Sequence, residues 1–172
     1  MMSDHYHYSL APTMAVSISK TRSELIDSLV ETSKCMRLNG FSSNGRTFHT
    51  CFCIKHNSGK VLAVGWNDYG RKIGNSLRSF GAFNYYDPNK HPDSTYDPSI
   101  HAEASVILKL DRMDNSDCDF VNVRIDRNGH VATSRPCECC FRMLSTFGYK
   151  RLFWHEYGHW QCVKPNTLRT ND

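Results

Sequence analysis

The sequence predicts an α/β fold in which helices pack on a mixed β-sheet. Two observations carry this expectation. Three segments repeat apolar residues at helical spacing, and between them lie short runs with strand character. Their order along the chain is helix, two strands, helix, strand, helix, two strands. A third observation sets the scale: 172 residues fit a single domain, since one core typically takes about 100–200 residues.

The first helix is expected over residues 23–38, where Leu25, Ile26, Leu29, Val30 and Met36 follow helical spacing and Asn39-Gly40 supplies a stop. Two strands follow, Thr47 to Lys55 and Lys60 to Trp66, joined by the turn-forming Asn57-Ser58-Gly59. Residues 67–99 show no clear period and contain Pro88, Pro92 and Pro98; so long a loop is uncommon unless it is functional or mobile. Helical spacing resumes from Ile100 to Met113, with Val106, Ile107 and Leu110 on one face. Phe120 to Ile125 and Val131 to Thr133 read as strands about Asn128-Gly129, a strong hairpin signal. The third helix runs from Cys137 to Phe147 and Gly148 ends it. Arg151 to His155 and Trp160 to Lys164 close the pattern, separated only by Glu156 to His159. Parallel neighbours need a crossover of about a dozen residues or more, so these last two strands must form an antiparallel hairpin. The domain is therefore placed at residues 23–165, between a polar N-terminal arm over 1–22, expected to be flexible, and a C-terminal tail over 166–172.

Composition narrows the class. Hydrophobic residues make up 40% and charged residues 22% of the chain, as in ordinary soluble globular proteins. No apolar run reaches about eighteen residues, so no membrane partner is expected. Residues 1–22 lack the apolar core and cleavage site of a signal peptide, which points to a cytoplasmic protein. The net charge of +4 is modest, and Arg71-Lys72 and Lys150-Arg151 are the nearest approach to a basic cluster. Dedicated nucleic-acid binders concentrate more charge in stripes. Eight cysteines stand at 35, 51, 53, 118, 137, 139, 140 and 162. Without a secretory signal a disulfide framework is disfavoured, and the crowding of three into Pro136-Cys137-Glu138-Cys139-Cys140 points to metal or redox chemistry. The other five read as small buried hydrophobes.

The chemistry lies in two short segments. His101-Ala102-Glu103 opens one predicted helix, and Cys137 with Cys140 opens a later one directly after Pro136. This is the His-x-Glu and Pro-Cys-x-x-Cys pattern of zinc deaminases. Zinc takes a neutral imidazole and thiolates, and three protein ligands leave a fourth position for water. A cysteine pair in the first turn of a helix puts both sulfurs on one side, where the helix dipole favours thiolate. Zinc lowers the pKa of water towards about 7. Glu103, two residues beyond the histidine, can flank the metal without binding it and move protons. A lone Cys-x-x-Cys would equally suit a redox pair or half of a zinc finger. Cys139 or Cys118 could in principle close a four-ligand structural site. Both halves in the right order, each opening a helix, favour the catalytic reading.

The segments Gly65-Trp66-Asn67, Ile100-His101-Ala102-Glu103 and Ser134-Arg135-Pro136-Cys137-Glu138-Cys139-Cys140 resemble the cytidine deaminase-like superfamily, which includes cytidine, deoxycytidylate, tRNA and nucleic-acid-editing deaminases. The resemblance implies a three-layer α/β/α fold with a central mixed sheet of about five strands, a zinc cofactor, and hydrolytic loss of an amine from a nucleobase. It implies metal ligation by His101, Cys137 and Cys140, and proton transfer by Glu103. It implies substrate contacts from the Asn67 side chain to sugar or base, from the Ala102 backbone to the base carbonyl, and from the Arg135 carbonyl to the leaving amine. The 67–99 loop corresponds to a region that shapes the pocket in the superfamily, and Tyr69, Phe80, Phe83, Tyr85, Tyr86 and Tyr96 could stack there on a base. His91, even with Cys51 or Cys53, is too little for a second zinc. A terminal hairpin resembles the free-nucleoside branch, whereas a helix between the last two strands resembles the deoxycytidylate, tRNA-adenosine and editing branch. The sequence thus predicts a deaminase acting on a small nucleoside or nucleotide (cytidine, deoxycytidine or deoxycytidylate), with assembly into a homo-oligomer. The alternatives are an editing enzyme acting on RNA or single-stranded DNA, and an inactive deaminase fold used for binding.

Overall fold

A computed structural model of the chain describes residues 20–41, 47–69, 83–84 and 99–165. Helix α1 spans Lys20–Met36 and unwinds through Arg37–Phe41, where Gly40 takes the left-handed conformation (φ 84°) that a helix stop requires. Strands β1 (Phe48–Lys55) and β2 (Val61–Trp66) follow, then three two-residue strands, β3 (Asp68–Tyr69), β4 (Phe83–Asn84) and β5 (Ser99–Ile100). Helix α2 is Ala102–Ile107, β6 is Cys118–Ile125, β7 is Val131–Ala132, α3 is Glu138–Phe147, β8 is Arg151–Glu156 and β9 is His159–Val163.

The main sheet has the order β2-β1-β6-β8-β9, with β7 added at the end of β6. All its pairings are antiparallel except that of β6 with β8, the two strands joined through α3. Three layers follow from alternation along the strands. Phe52 and Ile54 of β1, Val121, Val123 and Ile125 of β6 and Phe153 of β8 pack with Ile26, Leu29 and Val30 of α1. Cys51 and Cys53, Cys118 and Phe120, and Leu152 and Trp154 point the other way, into a core with Val106 and Ile107 of α2 and Met143 and Leu144 of α3. A strand covered on both faces loses the polar-apolar alternation and reads as a nearly continuous apolar run. The run Phe-His-Thr-Cys-Phe-Cys-Ile of β1 is an instance. The open mixed sheet with helices on both faces agrees with the expected fold. β8 and β9 form the expected antiparallel hairpin, closed by Tyr157 (φ 53°) and Gly158 (φ 80°). Two consecutive positive φ angles are what a two-residue turn of type I′ demands.

Polar contacts inside the layers fix the helices. Ser33 of α1 meets Thr50 of β1 at 2.7 Å between hydroxyls, both buried. At the far end of the sheet the buried Asp119 carboxylate accepts two bonds from Arg151 (3.2 and 2.8 Å) and lies 2.9 Å from His56 Nδ1 and 3.2 Å from Arg22 Nη1. Four of the five cysteines outside the 137–140 run (Cys51, Cys53, Cys118 and Cys162) are buried as expected, whereas Cys35 is exposed.

One element departs from expectation. The helix expected over 100–113 is confined to Ala102–Ile107, because Ser99–Ile100 is drawn into a strand and the chain tightens beyond Ile107. Lys109 N–H bonds Val106 O and Leu110 N–H bonds Ile107 O, both three residues back. The next turn is diverted by Asn115, whose backbone and side-chain amides both donate to Phe147 O at the end of α3. A buried carbonyl at a helix end needs such partners, and continuing α2 would remove them. Most of the 67–99 stretch lies outside the described residues, including Phe80, Tyr85, Tyr86, His91 and Tyr96. So do residues 1–19 and 166–172.

Candidate active site

The site forms where the parallel strands β6 and β8 part. In sheets of this kind the crevice beyond the carboxyl ends of diverging parallel strands accepts ligands. Ser134 occupies the fork: its Oγ donates to Asn122 O (2.8 Å) on β6 and accepts from His155 N–H (2.9 Å) on β8, and its own N–H donates to His155 O (2.9 Å). The chain then passes Arg135 and Pro136 into α3, with Cys137 extended (φ −70°, ψ 163°) as the residue that precedes the first helical turn. Cys140 lies within that turn, buried.

The opposite wall is the start of α2. His101, also extended (φ −66°, ψ 150°), precedes the helix. Its Nδ1 is 3.5 Å from Cys137 Sγ and 3.4 Å from Cys140 Sγ. The His101 nitrogen and the two sulfurs lie within 4.8 Å of one another, and among the described residues they are the one group of this kind that could hold a metal ion. Cys139 stands outside it, with its sulfur 3.7 Å from Arg142 Nη2 on another face of α3. His91 lies outside the described residues, and Cys51 and Cys53 belong to the core.

α2 owes its position to Gly65. A Cβ on this residue would lie 2.2 Å from Val106 N and 2.3 Å from Ala102 O, so strand and helix touch backbone to backbone. The short pairing β3–β5 holds the same corner, with Asp68 opposite Ile100 and Tyr69 opposite Ser99. Continued by one residue, that register brings Asn67 opposite His101. Asn67 N–H bonds His49 O at 3.1 Å.

Electrostatics favour a dication. The Cys137 thiol is held down to about 4, first by its hydrogen bond with Cys140 and then by His101. Cys140 is pushed up, first by that same bond and then by burial and the charge of Glu103. Burial pulls His101 down, but the contact with Cys137 and the charge of Glu103 outweigh it and the net shift is upward. A bound divalent cation would stabilise both thiolates. An imidazole nitrogen and two thiols with a side left open match the donor set of a catalytic zinc site.

Glu103 is buried in the first turn of α2 and is not one of the clustered ligands. Its Oε1 accepts a 2.7 Å hydrogen bond from Asn122 Nδ2. Ala102 is fully buried at the first helical position, where a backbone N–H has no intrahelical partner. Arg135 is half-buried, with Nη1 3.7 Å from Glu156 Oε1. Two residues of this environment escape sequence reasoning, Asn122 and His49, and Ser134 enters it only as part of a motif. Asn122 and His49 sit on strands, on the same face as Cys51, Cys53 and Phe120, where one expects apolar side chains. That polar break in apolar strands is the signal by which they could be found. His49 is held below its ordinary pKa by burial, against the raising effect of Glu103. Its Nε2 is buried without a hydrogen-bond partner.

Residues 30–156 match the cytidine and deoxycytidylate deaminase zinc-binding region. The chain belongs to that family, and with it to the cytidine deaminase-like superfamily. The His101, Cys137 and Cys140 cluster is consistent with the zinc that gives the family its description. No curated protein matches the chain. No described helix is long and apolar enough to cross a membrane.

Proposed function

We propose that the chain is a hydrolytic deaminase converting a cytosine-type base to a uracil-type base on a small nucleoside or nucleotide (cytidine, deoxycytidine or deoxycytidylate). The observation that carries this reading is the buried Glu103 carboxylate beside, but not within, the His101–Cys137–Cys140 cluster. A closed structural metal site has no use for a tethered carboxylate, whereas hydrolysis of an aminopyrimidine needs a group to move protons. His101, Cys137 and Cys140 would hold zinc. Bound there, zinc supplies the Lewis acidity that makes water a nucleophile near neutral pH. Glu103 takes a proton from the attacking water and delivers it to the ring nitrogen, then assists departure of the amine as ammonia.

The remaining residues orient the base. Asn67, on the register that meets His101, contacts sugar or base. The Ala102 N–H donates to the base carbonyl, and the Arg135 carbonyl receives the leaving amine. The terminal β8–β9 hairpin, with no helix between its strands, supports the small-substrate reading, because this arrangement resembles the free-nucleoside branch. The test is ammonia release from the purified protein, incubated in turn with cytosine and adenine nucleosides, their monophosphates and oligonucleotides. Turnover of cytidine or deoxycytidine compounds is expected. Turnover confined to oligonucleotides, or to purines, would overturn the substrate assignment. Glu103→Ala should keep metal and fold while lowering kcat at least about 10²–10⁴-fold, the usual worth of a proton-transfer group. Near-normal turnover by that variant would refute the mechanism.

A further inference from the structure

We propose that Asn122 is the positioning residue for Glu103: its carboxamide tethers one carboxylate oxygen, keeping Glu103 beside the metal-ligand cluster and out of it. The inference rests on the deaminase reading only in its kinetic arm.

Asn122 sits in the middle of β6, the strand covered on both faces, between Val121 and Val123. A buried polar group left without a partner costs roughly 2–7 kcal/mol; Asn122 Oδ1 has none among the described residues, and all the side-chain bonds of this amide are made by Nδ2. The short one, 2.7 Å, runs from Nδ2 to Glu103 Oε1; the long one, 3.4 Å, runs from the same nitrogen to Ser134 O. Both partners are acceptors, so the amide orientation is set by chemistry: turned over, Asn122 Oδ1 would face a carboxylate and a carbonyl. Asn122 itself is held rigidly, since its strand pairs with β1 and its own carbonyl accepts from Ser134 Oγ. The tether therefore joins the sheet to a side chain on the first turn of α2.

The plain alternative is that Asn122 only satisfies the Ser134 carbonyl. The distances favour Glu103, and so does the need of the carboxylate. Glu103 lies two residues from His101, in the first turn of the helix that His101 directly precedes. A buried carboxylate without its neutral donor would seek the nearest cation, and in the loaded protein that is the metal. Coordination by Glu103 would occupy the open position and remove the proton carrier together. A donor amide, rather than a charged partner, holds the oxygen without altering the charge of the site.

The test uses full-length protein loaded with cobalt(II), whose visible ligand-field bands report coordination, with wild type, Asn122→Leu, Glu103→Gln and the double variant compared. Leucine matches asparagine in size and removes the donor. Asn122→Leu should retain one cobalt per chain, yet show bands altered in position and intensity. In the Glu103→Gln background the same substitution should leave the bands unmoved. On the zinc protein, Asn122→Leu should lower kcat about 10²-fold with little change in KM, as expected for a reacting group misplaced by about 1 Å. Wild-type bands or wild-type kcat in Asn122→Leu would overturn the proposal, and so would a band change that persists without Glu103. If the wild-type protein released no ammonia from any compound, the deaminase reading would fail while the bands still decided the tether. Should Asn122→Leu not fold, Asn122→Ala, which only deletes atoms, carries the same comparison.

Discussion

Gly65→Ala asks whether the site depends on backbone contact between β2 and α2. The added methyl would meet Val106 N at 2.2 Å, Ala102 O at 2.3 Å and Ser105 C at 2.8 Å, against an ordinary contact of 3.4 Å or more. None of these is the end of a flexible side chain, so relief requires the helix to lift by more than about 1 Å. Every residue of α2 is buried, which leaves it little room to move. Overpacking of this kind costs about 1–3 kcal/mol and sometimes more, a large part of the roughly 5–15 kcal/mol that holds a domain together. The consequence for the site is sharper. His101 directly precedes α2 with Nδ1 3.4–3.5 Å from the two sulfurs, and metal–ligand distances tolerate only about 0.2 Å. Gly65→Ala should therefore lower the urea midpoint and weaken zinc at least about tenfold, the scale of losing a supporting contact behind a ligand. Zinc affinity would be read by competition with a chromogenic chelator. Gly129→Ala is the control: its methyl meets nothing within 4 Å at the β6–β7 turn, so its positive φ should cost some stability but no zinc. A Gly65→Ala protein with wild-type midpoint and wild-type zinc affinity would refute the reasoning.

Three further outcomes are expected. Purified protein should carry about one zinc per chain, and Cys139→Ser should keep it, because that sulfur lies outside the ligand group; loss of zinc in Cys139→Ser would mean a closed four-ligand site. Cys140→Ser, which removes a ligand, should lose metal and stability together, and elemental analysis with thermal unfolding would expose any variant that lost neither. Alkaline pH should destabilise the fold, since burial raises Cys51 and Cys53 and lifts Cys162 to about 11. These thiols ionise in the unfolded chain near 9.0 but stay protonated in the native one, so stability falls as pH rises above about 9. The loss is roughly 1.4 kcal/mol per thiol one unit higher. A denaturation midpoint at pH 10 equal to that at pH 8 would contradict it.

The legible parts of the sequence share one property: their signal is local. Helix α3 could be placed because Cys137 to Phe147 repeats apolar residues in phase and Gly148 terminates it with φ 74°. The β8–β9 hairpin followed from a connector too short for anything else. The residues that cluster at the candidate site are legible because His101 with Glu103, and Cys137 with Cys140, each stand within a few residues of one another. The length of α2 is not legible, because what stops it is tertiary: Asn115 turns aside to bond Phe147 O. No periodicity records a partner 32 residues away. Asn122, and the role of Ser134, which is named only as part of its motif, are not legible for the same reason. Each reads as an ordinary polar residue until β6, α2 and β8 are brought together.

The two halves of the motif lie 36 residues apart between His101 and Cys137, and neither could form the site alone. What joins them is the choice of which two strands run parallel. Because β6 and β8 are parallel, α3 must return along one face of the sheet, and its first turn lies beyond the end at which the strands separate. Because β1 and β2 are antiparallel, β2 ends beside the start of β1 and sends the chain back through Asn67 towards His101. The first turns of α2 and α3 thus arrive at one crevice from opposite walls. Their N-terminal backbone amides and partial positive charge face the thiols and the carboxylate. Ser134 and Asn122 fill the fork between the strands, so the floor of the crevice is hydrogen-bonded to β6, to β8 and to Glu103 of α2. His101 just ahead of α2, Cys137 and Cys140 at the start of α3 and the buried Glu103 carboxylate thus come together through a single topological decision. That is why substitutions at Gly65 and Asn122, neither of which touches the metal ligands, should register at the metal.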